Sequence, residues 1–196
     1  MGTWLGWGRA FDRYLQQNLT VRQIYHCHWL LALLVISQII NSNFIHMTHA
    51  GVLRGGLWSG VFLWLHIALG LIAALVFIIM LQQMLSQQGL RMFFPYLYGD
   101  TQALQRNWQQ IRNKQLPEML PGGIANIVQG LGMGAMLLVL TSGLLWLVCW
   151  QWAPDVANEL RHLHKSLTGL VELYLYGHGG MAILHFIATR QQYLSR

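Results

Sequence analysis

His164 and His178 stand 14 residues apart in a stretch that reads as one helix. At 100° per residue they fall within about 40° of the same face, separated by about 21 Å along the axis. One helix therefore offers an imidazole near each side of a membrane. Imidazole nitrogen is a good iron ligand, and helix bundles build cofactor sites from side chains on facing helices. Antiparallel neighbours supply partners at matching depths. His28 lies near the start of the first apolar run, level with His178, and His66 lies early in the second, level with His164. Two pairs follow: His28 with His178, and His66 with His164. Imidazoles on both faces of a porphyrin leave its iron no open position, which favours electron transfer over oxygen chemistry.

A flat macrocycle also needs room. Gly70 lies one turn after His66, and Gly169, Gly177, Gly179 and Gly180 flank the ligands of the last helix. Gly130, Gly132 and Gly134 open the third apolar run, which has no histidine. His26, two residues from His28 and on a different face, is the rival for that ligand role. His46 and His49 fall in a loop, where solvation is the default, and His162 precedes His164 at the interface. His185, two turns after His178, reads as interfacial packing, with a propionate or quinone contact as the functional alternative. Glu172 lies about midway between His164 and His178, where an ionised carboxylate is costly. It reads as a neutral acid bonded to a facing helix, or as a proton relay. Arg22, Arg54, Arg161 and Lys165 lie near the expected haem depths, where propionate pairing and snorkelling both suit them. For one membrane histidine alone, the plain reading is a hydrogen bond to a neighbouring helix. Four that satisfy depth and facing together argue for a cofactor.

The elements that must position these residues are membrane helices. Hydrophobic residues make up 55% of the 196 and charged residues 9%, against about 25% charged in a soluble domain. Most of the surface therefore does not face water. A crossing helix needs about 20 mainly apolar residues, and the runs near 24–44, 57–81 and 124–150 supply them. A fourth, 166–189, is weakened by Glu172, His178 and His185. The expected fold is an all-α integral membrane four-helix bundle, one domain over residues 1–196. Segments 1–23, 82–123 and 189–196 hold nine of the twelve Lys and Arg residues. That asymmetry places both termini in the cytoplasm of a bacterium, in a multi-pass inner-membrane protein. Lipid headgroups account for the +6 charge, so nucleic acid is not an expected partner.

Two short helices are expected to lie on the membrane. Trp4, Trp7, Phe11, Tyr14 and Leu15 form one apolar stripe; Leu104, Trp108 and Ile111 form another, after an N-cap at Asp100. The second suits a partner subunit equally well. Cys27 and Cys149 lie in or beside apolar runs and give no disulfide framework, and no CxxCH run exists for covalent haem. A zinc protease would want HExxH, which is absent. No cleavable leader is expected, because the first apolar run begins after residue 20 and stays in the membrane.

At these residues the chain resembles the bacterial cytochrome b561 superfamily. It is most similar to the b-type cytochrome subunits of nickel–iron hydrogenases and formate dehydrogenases, over roughly residues 21–190. The features are Val21-Arg22 leading to His28-Trp29, His66 followed by Gly70, Ser142-Gly143, and the spacing of His164 and His178 in Tyr176-Gly177-His178. The resemblance implies four core helices, two non-covalent haems b on the same four histidines, and a quinone near the cytoplasmic haem. It also implies a periplasmic redox protein or iron–sulfur subunit as partner. Stand-alone relatives act instead as quinone-linked oxidoreductases, for example from superoxide to quinone. Where hydrogenase-type members often read Gly-His-Asn-Pro and then Gln, this chain has Leu120-Pro121-Gly122-Gly123 and then Asn126, the quinone candidate. Where members often have an Arg near the end of the second span, it has Gln82 and Gln83. The expected function is transfer of electrons across the membrane between a periplasmic partner and the quinone pool. A haem-free scaffold or transporter is the rival from another class; few intramembrane carboxylates and no inverted repeat count against it.

Overall fold

The computed structural model describes residues 2–19, 22–48 and 51–194; Val21 and His49 lie outside the described residues, as does the Trp4 side chain. In chain order the elements are α1 (Gly2–Asn18), α2 (Arg22–Ser42), β1 (His46–Met47), β2 (Leu53–Arg54) and α3 (Gly56–Phe93). A 3-10 turn (Pro95–Tyr98) precedes α4 (Gln102–Arg112), α5 (Ile124–Trp152), α6 (Pro154–Thr189) and α7 (Gln191–Leu194). The all-α expectation holds, and α2, α3 and α5 are long and apolar enough to cross a membrane. At 36 residues α6 extends over roughly 54 Å, but Glu172, His178 and His185 lower its hydropathy.

Three details differ from the sequence reading. The fourth helix starts at Pro154, twelve residues before the expected span at 166, and Ala153 alone separates it from α5. The N–H of Ala153 still donates to Cys149 O, and that of Ala157 already donates to Ala153 O, both at 2.9 Å. Proline suits the first helical position because its missing N–H would have no partner there, and Asp155 complements the dipole. Next, α3 runs past 81 to Phe93, interrupted at Gly89, whose φ of 71° only glycine adopts cheaply. Finally, α4 begins after Thr101, not after Asp100. Asp100 instead accepts a bond from Arg91 at 3.4 Å on the exposed surface.

The chain groups into two compact units. The first comprises Met1–Tyr25, Met84–Gly134 and Leu170–Arg196. Here the aromatic stripe of α1 has a protein partner. Ala10, Tyr14, Leu15 and Phe186 are buried together, with Phe11 and Tyr14 rings 5.1 and 5.8 Å from the Phe186 ring. Phe11, Tyr14 and Leu15 of the expected lipid-facing stripe are thus turned onto α6; Trp7 meets Phe186 edge-on at 6.3 Å but stays partly exposed, with Arg190 over its ring. On α4, Trp108 and Ile111 are exposed, while Asn107 is fully buried. Asn107 Oδ1 accepts the N–H of Ile124 at 2.9 Å, and its Nδ2 donates to Glu118 O at 3.0 Å and Gln110 Oε1 at 3.1 Å. Gly123 precedes α5 and has no side chain to cap it, so α4 supplies the cap.

The second unit comprises His26–Gln83 and Ala135–Gly169. Gln38 Nε2 donates to His66 O at 2.9 Å, and Asn41 Nδ2 donates to Phe62 O at 3.2 Å. These amides, about one turn apart on α2, tie to carbonyls one turn apart on α3. Between α2 and α3 the chain forms a two-stranded antiparallel ribbon, with His46 opposite Arg54 and Met47 opposite Leu53. Arg161 of α6 donates to Thr48 O at 3.2 Å and to Asn158 Oδ1 at 2.9 Å. One of the basic residues considered for a propionate therefore fastens this connection.

Candidate functional site

His66 and His164 meet in the second unit, from α3 and α6. Their ring centres are 6.3 Å apart and their planes lie at 89°. Two metal–imidazole bonds of about 2 Å, each with about 1 Å more from nitrogen to ring centre, put two axial rings about 6 Å apart. The pair therefore has the spacing that sandwiches one iron. Ile67, Gly70, Ala74, Leu140, Trp146 and Leu147 line the cleft beside them, an apolar wall with few convergent polar groups, as cofactor sites have.

The chemistry of the donors fits as well. His164 Nδ1 lies 3.0 Å from Val139 O and 3.1 Å from Ser142 Oγ. The Ser142 hydroxyl itself donates to Val139 O at 2.9 Å, so its hydrogen is committed and its oxygen can only accept. The hydrogen at Nδ1 must then belong to the histidine, and Nε2 keeps its lone pair for a metal. A metal-ligating histidine is held in this way by the bond its other nitrogen makes. His66 Nδ1 is buried with no hydrogen-bond partner among the described residues, a position that needs an explanation in a native fold. Gly143 completes the cradle: a Cβ there would lie 3.0 Å from His164 Cε1 and 3.2 Å from Nδ1. Glycine lets α5 come up against the imidazole.

The remaining candidates are placed as follows. His28 is half-buried in the second unit and His178 half-buried in the first. His26, His46 and His162 are exposed. His185 is half-buried in the first unit, its Nδ1 2.9 Å from Met181 O and its Nε2 2.9 Å from Pro117 O. It ties α6 to the segment before α5, which is the packing role expected of it. Asn126 is half-buried on the first turn of α5, and Glu172 half-buried on α6; Arg22, Arg54 and Lys165 are exposed. The glycines divide. A Cβ at Gly132 would overlap the Tyr174 ring, and one at Gly130 would lie 2.8 Å from Phe93 O, so protein fills both places. At Gly169, Gly177, Gly179 and Gly180 nothing stands within 4 Å.

A family model described as prokaryotic cytochrome b561 matches residues 18–196. The chain belongs to that family. No curated protein and no solved structure matches it. The family match spans α2, α3, α5 and α6 and so takes in all four candidate ligands. This cytochrome b561 family member is a prokaryotic membrane protein that binds b-type haem and takes part in electron transfer. The haem-free scaffold is thereby set aside. Sequence reasoning missed Val139 and the orienting role of Ser142, because both act across 22 residues or more. Replacing Gly143 with valine in the cytochrome is expected to push the His164 ring aside and lower the haem content. Haem content measured as the pyridine haemochrome checks it; wild-type content in Gly143→Val contradicts it.

Proposed function

We propose that the chain is a dihaem cytochrome b that carries electrons across a bacterial inner membrane, between a periplasmic redox protein and the quinone pool. The observation that carries this reading is the 6.3 Å separation of the His66 and His164 rings. In this reading His66 and His164 hold the haem near the periplasmic face, and His28 and His178 hold one near the cytoplasmic face. A haem with two imidazole ligands supplies reversible one-electron transfer at an iron with no open position. The protein residues supply the rest. Val139 and Ser142 hold the proton of His164 on Nδ1, so Nε2 stays a ligand in both redox states. The apolar wall of Ile67, Ala74, Leu140 and Leu147 keeps water from the iron.

The fourth crossing in this reading is α6, whose polar residues face the interior of a four-helix bundle with both termini cytoplasmic. A buried histidine ligand pair explains why its hydropathy is poor. In this reading Asn126 donates to a quinone carbonyl. In this reading the connections on the periplasmic side are the 46–54 ribbon and Ala153, short enough to leave room for a partner such as an iron–sulfur subunit.

The test is reduction of the purified cytochrome in lipid vesicles by duroquinol, followed in the visible haem bands. Both haems are expected to be reduced to the extent that dithionite reduces them. Haems that dithionite reduces and duroquinol leaves oxidised would remove the quinone from this account.

A further inference from the structure

Tyr174 stands four residues before His178, on the same face of α6. Its ring lies on the imidazole, with centres 5.0 Å apart and planes within 18°. The backbone of α5 closes on the same tyrosine at Gly132, where a Cβ would overlap ring atoms Cδ2, Cε2 and Cζ. Gly132 is buried, while Gly134, Gly177 and Gly179 have nothing within 4 Å of a built Cβ. The close approach is therefore specific to the place where Tyr174 sits. A tyrosine pinned by the neighbouring helix and stacked on a histidine restricts that histidine's rotation.

The restriction matters because the terminal torsion of a histidine is broad and only weakly held by its own rotamer preference. A bound metal fixes the nitrogen but leaves the ring free to turn about the metal–nitrogen axis. The plane the ring adopts decides which iron orbital its π system meets. That sets the low-spin ferric signal and contributes to the potential, in the way other groups around a ligand tune a haem. His164 has hydrogen bonds from Nδ1 to fix its plane. Stacking supplies a second means of doing so.

We propose that Tyr174, seated on Gly132, is a positioning residue that sets the ring plane of His178. The proposal rests on the reading of His178 as a haem ligand. Tyr174 takes no part in ligation, and its hydroxyl is not required.

The experiment is electron paramagnetic resonance of the oxidised, purified holoprotein, with haem content measured on the same samples. His178→Ala first assigns the signal, by removing one of two low-spin ferric species. Tyr174→Leu is expected to shift or broaden that species, with haem content and the other species unchanged. Gly132→Ala, which pushes the ring off its seat, is expected to do the same. Tyr174→Phe keeps the stacking surface and is expected to restore the wild-type signal. If Tyr174→Leu does not fold, the contrast between Gly132→Ala and Tyr174→Phe decides. Wild-type signals in both Tyr174→Leu and Gly132→Ala, at full haem content, overturn the positioning role. Two intact signals in His178→Ala overturn the ligand reading instead, and the proposal falls with it.

Discussion

In the proposed dihaem reading, replacing His164 with alanine is expected to remove one of two haems and leave the other in place. The expected haem-to-protein ratio falls to about half that of the wild type, because the iron at this pair keeps only His66 as a protein ligand. His66→Ala is expected to give the same loss, and the double variant to lose no more, since in this reading both residues serve one iron. The structural basis is specific to this pair. Its rings stand 6.3 Å apart, and each residue has its place prepared. His164 has Val139 and Ser142 on Nδ1, and Gly143 leaves room for its ring. The remaining haem keeps its b-type spectrum in both single variants. Wild-type haem content in either contradicts the assignment.

Replacing Asn107 with alanine lowers the stability of the fold without touching a ligand. The side chain is fully buried and makes three hydrogen bonds, one of which caps α5 at Ile124. Alanine removes the cap on the Ile124 N–H and the bonds to Glu118 O and Gln110 Oε1, the last of which still accepts the Glu118 N–H. The sum is about 3 kcal/mol, from a lost cap and two further lost hydrogen bonds. For a chain of this size that corresponds to a fall in melting temperature of roughly 6–12 °C. Gly123→Ala acts on the same bond from the other side, because its Cβ would overlap Asn107 Oδ1. Thermal unfolding in detergent, followed by circular dichroism, measures both. A melting temperature within a degree of the wild type would show that the bonds contribute nothing.

The parts of this molecule written in local periodicity were legible from its residues. Three apolar runs became helices α2, α3 and α5 within a few residues at most ends. Antiparallel depth matching was enough to bring His66 and His164 together. Depth alone left His26 beside His28 as a rival; in the structure His28 is half-buried and His26 exposed. What stayed hidden depends on contacts between distant residues. The cap on α5 comes from Asn107, 17 residues before Ile124, and no local pattern announces it. Phe186 receives the aromatic stripe of α1 from the far end of the chain, so a face read as lipid-facing is partly packed. The seat of Tyr174 on Gly132 likewise joins residues 42 apart in the chain.

The early start of α6 is a different case. Proline at the first helical position followed by an acid is a recognised beginning, and Pro154-Asp155 carries it. The expected span at 166–189 follows apolar content, which marks a membrane crossing and not the first turn of its helix. Composition outweighed a signal that was present.

The account stands on one chain carrying two haems, each between a pair of histidines. Quantitative pyridine haemochrome of the purified protein, against protein determined by amino-acid analysis, measures this directly. The expected result is a b-type spectrum at two haems per chain. A single haem, or colourless protein from cells supplied with haem, would contradict it.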